Sequence, residues 1–149
     1  MRRALDAQSA SLGLTLRLTH VTPILNVSDV GASVEWFERL GWKRGFMWND
    51  AGPIEGGSLA DPNGPANFGS VCSGHAEIFL CQDGQGERGT WISWWLVRPA
   101  DVDAMHERAL EHGMTVSYPP TDEPWGVREF HLVHPDGHTF RVSAPLSSE

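Results

Sequence analysis

The side chains with most chemistry to offer are seven tryptophans, the arginines Arg128 and Arg141, the carboxylate of Glu77 and the imidazole of His20. Trp is normally scarce, and its large flat ring packs against, or binds, other flat surfaces. An arginine aimed into a cleft can fork onto a carboxylate or phosphate; its plainer use is an ion pair with Glu77 or Glu129. Glu77 can equally hold a ligand cation, so the residues leave the charge of a ligand open. No Gly-x-Ser-x-Gly, Gly-rich phosphate loop or Cys-x-x-Cys occurs, and Gly56-Gly57 lacks the strand–helix context of a nucleotide loop. Cys72 and Cys81 are the only cysteines, too few for a secreted disulfide scaffold. They read as reduced thiols of a cytoplasmic protein. His131, His134 and His138 cluster at a turn, where exposed imidazoles are expected.

The chain of 149 residues is the size of one domain or of two small modules. Its 19 acidic residues outnumber 11 basic ones, giving a net charge of −8. That balance argues against a nucleic-acid partner, which needs clustered Lys and Arg. There is no apolar run long enough for a membrane helix. Arg2-Arg3 is not followed by a long apolar stretch, so residues 1–16 read as a loose N-terminal extension rather than a signal.

These side chains need elements to hold them. Residues 15–27 are rich in β-branched and apolar residues and predict a strand, with Pro23 at an edge or bulge. Ser28 and Asp29 offer helix caps, and Val30, Val34 and Phe37 make a helical stripe that Gly41 ends. A strand over 42–48, a long Gly/Pro loop over 49–66 and a hairpin over 67–72 and 75–82 follow. After a polar linker the order begins again. A strand lies at 91–97, a helix is capped by Asp101 and ended by Gly113, and a short strand follows at 114–117. A Pro-rich loop at 118–125 and a hairpin around Pro135-Asp136-Gly137 complete the second set.

Asp29 and Asp101 are 72 residues apart, as are Gly41 and Gly113. Equal offsets at both helix ends predict helices of equal length and a tandem repeat. The fold class expected is α+β: two tandem βαβββ modules forming a curved mixed sheet with helices outside. The boundaries read are 17–82 for the first module, 83–90 for the linker and 91–146 for the second. Alternation puts His20, Thr22, Ile24 and Asn26 on the concave face, and separates Arg141 and Ser143 from Phe140 and Val142. In the fourth strand it opposes Glu77, Phe79 and Cys81 to Ile78 and Leu80. In the fifth, Trp91, Ser93 and Trp95 oppose Ile92, Trp94 and Leu96, and both faces are too apolar to rank.

The stretches TPILNVSDVGASVEWFERLGW and HPDGHTFRV, in this element order, resemble the vicinal oxygen chelate superfamily of glyoxalases, bleomycin-resistance proteins and dioxygenases. Pro124-Trp125-Gly126 with Arg128-Glu129-Phe130, and the Trp-rich strand WISWWLVR, look like the bleomycin-resistance branch, with Val127 as an extra residue. The resemblance implies a homodimer with a ligand cleft under each curved sheet. It makes Trp125 an aromatic wall, puts Trp94 on the concave face and makes Trp48 and Phe46 a lid wall. Trp36, Trp91 and Trp95 are left to helix, core or interface.

Metal-dependent members of that family use His, Gln or Glu at four strand positions. By the family's spacing these fall here on Thr22, Trp94, Arg141 and either Phe79 or Glu77; a two-residue slip brings in His20. That set predicts neither a metal nor another cofactor. The function expected is binding and sequestering of a planar or aromatic small molecule, antibiotic-like, without turnover. The alternative is a metal-independent or atypically liganded lyase, isomerase or dioxygenase, with Arg141 as electrophile and Glu77 or His20 as base. The candidate ligand-binding residues are therefore Trp125, Trp94, Trp48, Phe46, Phe79, Glu77, Arg128, Arg141, Thr22 and His20.

Overall fold

The computed structural model describes residues 16–147. The extension expected over 1–16 lies, apart from Leu16, outside the described residues. Strand β1 is Ile24–Val27 and helix α1 is Val30–Arg39, with the Asp29 carboxylate accepting from the Ala32 N–H at its start. Then come β2 (Lys43–Asn49), β3 (Gly52–Pro53), β4 (Ala60–Asp61), β5 (Gly64–Pro65), β6 (Phe68–Ser73) and β7 (Ala76–Gln82). The second half holds β8 (Trp91–Trp95), α2 (Pro99–Glu111), β9 (Thr115–Asp122), β10 (Val127–Val133) and β11 (Thr139–Pro145). The architecture is α+β with mixed sheets, as expected. One sheet runs β1-β7-β6-β2-β3 and the other β8-β11-β10-β9, so the four principal strands of each half follow the same order. In both, the first strand pairs in parallel with the last.

Several expectations are corrected. The first strand is four residues long, because pairing with β7 reaches back only to Ile24. The helices are unequal, at 10 and 13 residues. Pro99 starts α2 two residues before Asp101, and the Asp101 carboxylate reaches back to the Arg98 N–H. Their ends do correspond, since Gly41 and Gly113 both take positive φ after the last turn. The long loop over 49–66 contains the β4–β5 ribbon. The Pro-rich stretch is strand, not loop: Pro119 and Pro120 sit within β9. Because β9 is an edge strand, one side of it needs no N–H donors.

Both sheets and both helices share one core. Trp36 of α1 lies against Phe140 at 5.8 Å and Phe37 against Trp94 at 6.1 Å, so the first helix packs on the inner face of the second sheet. Trp94 stacks on Phe140 at 4.1 Å and meets Trp42 at 5.0 Å. The opposite face of each sheet remains open.

The β10–β11 turn pins this arrangement. His134 and His138 are 2% and 0% exposed, which corrects the expectation of surface imidazoles. The Asp136 N–H donates to His134 Nδ1 at 3.0 Å, so Nε2 carries the proton and donates to Ser33 Oγ at 2.8 Å. The Thr90 N–H donates to His138 Nδ1, and His138 Nε2 donates to the Asn26 carbonyl at 2.7 Å. The Asp136 carboxylate accepts from the Ser28 N–H at 3.0 Å.

Burial pushes the His134 imidazole down to about 4, against the pull of Asp136. Between its ordinary 6.5 and about 4, only the unfolded chain takes the proton. Stability is thus complete above pH 6.5 and is lost as pH falls toward 4, by up to about 3 kcal/mol. Urea denaturation across that window tests this: the midpoint falls in the native chain and flattens in His134→Gln. A native midpoint independent of pH contradicts it.

Candidate functional site

Register identifies the open face of the second sheet. Arg141 pairs with Ser93 and His131, and Ser143 with Trp95 and Glu129, while Val142 pairs with Trp94 and Phe130 on the core side. Trp91 and Trp95 therefore share the face of Arg141, and each is 62% exposed. Trp125, on the turn before β10, is also 62% exposed, with the Arg141 guanidinium 5.9 Å from its ring centre. Tyr118 and Trp91 both contact the His131 ring, at 4.8 and 5.2 Å.

A buried charge organises this face. Glu129 is 2% exposed. Arg141 donates to it through Nε at 2.7 Å and Nη2 at 3.0 Å, a fork onto both carboxylate oxygens. His131 Nε2 is 2.9 Å from Oε2. Burial raises the Glu129 carboxyl, and the bonds from Arg141 and His131 outweigh it, holding the group below its ordinary range. The same pairing raises Arg141. The Tyr118 hydroxyl donates to Glu123, which pushes the phenol up. Ser143 Oγ and Trp94 Nε1 are buried without a partner among the described residues.

The open face of the first sheet carries an aromatic cluster, with Ser70, Cys72, Glu77 and Cys81 on the same face of β6 and β7. Phe46, Phe68 and Phe79 form a triangle with ring separations of 5.4 to 6.0 Å. Ile24 pairs with Phe79, and Trp48 with Phe68, on the same face. Trp48 and Phe68 border a recess of about 500 Å³ that reaches Asn67, Gln82 and Gln85.

The ten candidate residues thus fall into four groups. Trp125 and Arg141 meet on the second sheet. Trp48, Phe46 and Phe79 share the first. His20, Thr22, Glu77 and Trp94 line a cleft of about 530 Å³ between the halves, with Trp94 only 8% exposed because its ring belongs to the core. Arg128 points to the helix side, where it bonds Asp103 at 2.9 Å and Asp122 at 2.9 Å. Sequence reasoning named Glu129 as one possible ion-pair partner of the arginine, assigned Trp91 and Trp95 to core or interface, and passed over Tyr118 and the contacts of His131. The available signal was the polar alternation of β11: carried across a parallel register, it places Trp91 and Trp95 beside Arg141.

The side chains at the four family positions do not fit a divalent ion. Thr22 precedes β1, Trp94 packs inward, Phe79 has no donor atom and Arg141 is a cation bound to Glu129, while the alternative positions Glu77 and His20 supply only two ligands. Among the described residues no three His, Cys, Asp or Glu side chains converge. Burial pushes both the Cys72 and Cys81 thiols up, which keeps them protonated and poorly nucleophilic. No described helix is long and apolar enough to cross a membrane.

The profile of the glyoxalase/bleomycin resistance protein/dioxygenase superfamily matches residues 17–142. Among solved structures, TioX from Micromonospora sp. ML1 aligns with a TM-score of 0.69 at 20% identity, covering 87% of this chain and 100% of that one. A glyoxalase/bleomycin resistance protein/dioxygenase from Nocardioides aligns at 0.65 and 20% identity, over 98% and 95% of the two chains. A glyoxalase-related enzyme from Clostridium phytofermentans aligns at 0.64 and 20% identity, over 87% and 97%. No curated protein matches the sequence. Likeness at this identity carries the fold and leaves the chemistry to the residues.

Removing the guanidinium exposes what holds Glu129 charged. In Arg141→Met the carboxyl should titrate above the ordinary carboxylate range, because burial persists while the forked bonds are gone. Carboxyl-carbon NMR titration reads this directly; a Glu129 pKa that stays low contradicts the assignment.

Proposed function

We propose, for a chain that belongs to the glyoxalase/bleomycin resistance protein/dioxygenase superfamily, that it binds a planar aromatic small molecule and holds it without turnover. The site is a cleft completed by two copies of the chain. The observation that carries this reading is the pair of uncovered aromatic faces. Trp91, Trp95 and Trp125 are each 62% exposed on one sheet, and the Phe46, Phe68 and Phe79 cluster lines the other. Contiguous exposed apolar surface of this kind marks an interaction site, and flat rings favour a flat partner.

Within one chain the two aromatic faces lie on the sides of the sheets away from the shared core, where the first helix packs on both. A two-fold axis solves this: the first sheet of one copy faces the second sheet of the other, twice per dimer. The ligand then lies between tryptophans from one copy and phenylalanines from its partner. The absence of turnover is supported by the chemistry of the side chains. Arg141 is held by Glu129, both thiols are raised, and the donor set at the family positions does not fit a metal. The structural relatives differ in kind, one being called a glyoxalase-related enzyme, so turnover is a point for measurement.

Complementation separates a shared cleft from two independent ones. Trp95→Gln and Phe79→Gln should each lose planar-dye binding, read by quenching of Trp fluorescence, by about tenfold or more. Mixed and re-equilibrated, half the dimers are heterodimers with one unaltered cleft, so about a quarter of the clefts should bind again. Sedimentation should give a dimer at micromolar concentration. A monomer, or no recovery on mixing, defeats the shared cleft; binding by no planar compound defeats the function.

A further inference from the structure

We infer that the ligand is an uncharged planar ring system bearing a carbonyl acceptor, and that Arg141 selects it. This inference rests on the planar-ligand reading above and adds the charge and hydrogen-bonding class.

Arg141 is only partly engaged by its neighbours. Its Nε and Nη2 are committed to the two oxygens of Glu129, at 2.7 and 3.0 Å. Its guanidinium carbon lies over the Trp125 ring, 5.9 Å from the ring centre. Nη1 has no partner among the described residues, and the side chain is 36% exposed. The two N–H bonds of Nη1 are therefore left over on a guanidinium anchored by Glu129, on the sheet face that also carries Trp91 and Trp95 and beside Trp125. A guanidinium fixed on both sides is a directional donor whose position is decided before the ligand arrives.

The charges around it decide which acceptor fits. Glu129 cancels the charge of Arg141, and the Glu123 carboxylate, which accepts from Tyr118, lies near enough to act on Arg141 as well. An anionic ligand would therefore find no uncompensated cation and would meet two carboxylates. A cationic ligand does no better. Glu129 is buried and already accepts from Arg141 twice and faces His131 Nε2, so it has no outward oxygen to offer. The opposite sheet supplies Phe46, Phe68 and Phe79, which carry no charge. Glu77 shares the strand face of Phe79 but lies four residues along β7 from the position that pairs with Phe68, where one of its oxygens accepts from the Cys72 thiol at 3.7 Å and it borders the cleft between the halves. A neutral ring with a carbonyl oxygen matches what remains: aromatic faces above and below, and one aimed pair of N–H donors at the side.

Three tricyclic probes of one shape test this: acridone, N-methylacridinium and acridine-9-carboxylate, titrated against the full chain by Trp quenching and calorimetry. Acridone should bind at least about tenfold tighter than either ion. In Arg141→Met that preference should vanish while some binding to the rings persists. Glu129→Gln frees the charge of Arg141, so acridine-9-carboxylate should gain about tenfold relative to acridone. Circular dichroism checks that each variant is folded; the ranking of the three probes by the unaltered chain stands without any variant. If either ion binds tightest, or all three bind equally, the inference is overturned and the planar-ligand reading survives. If none binds, that reading falls and takes this inference with it.

Discussion

Everything in this molecule hangs on two neutral imidazoles in the turn between β10 and β11. His134 reaches Ser33 on α1, and His138 reaches the backbone of Asn26 on β1. A buried imidazole with both nitrogens bonded is pinned in one tautomer and one orientation, and it costs little as long as it stays uncharged. These bonds hold the second half of the chain against the first. They let Trp36 and Phe37 pack on Phe140 and Trp94, and so merge two thin sheets into one core. Neither four-strand unit covers both faces of its own sheet. Sharing the inner faces leaves aromatic side chains exposed on the outer ones, among them Trp91, Trp95 and Trp48.

The repeat was legible because helix ends and turns have short-range causes. Asp29 caps, Gly41 and Gly113 terminate, and Pro135-Asp136-Gly137 turns, each through its own backbone chemistry. Arg141 and Phe140 were separable for a similar reason, since one strand of clear polar alternation reports its own faces. What could not be read depends on pairing. Trp91, Trp94 and Trp95 are equally apolar, and only the parallel register with β11 says that Trp94 goes inward. The prolines of β9 look like a loop until the strand is known to be an edge. His134 and His138 look like surface residues until their partners, about a hundred positions away in the chain, are found.

The open face of the second sheet also shows how a cation and a buried acid can substitute for one another's solvent. Glu129 is tolerable at 2% exposure because Arg141 forks onto it, and Arg141 is held flat because Glu129 anchors two of its nitrogens. Where the family's spacing would seek a metal ligand, this chain has a positioned organic cation. Its charge is spoken for, and its geometry is not.

The contacts of the His134–His138 turn have a consequence for how the chain is made. The bonds to Ser33, Asn26 and Ser28 join residues 101, 112 and 108 positions apart. A growing chain completes α1 long before the strand that covers it exists. Trp36 must therefore wait for its contacts with His134 and Phe140 while about a hundred further residues are synthesised, and at typical rates that wait lasts several seconds. Folding dominated by such distant contacts is slow in its own right. The segment of this protein in most need of a chaperone is thus its first helix, during translation, and not the tryptophan-rich surface that stays exposed in the finished fold.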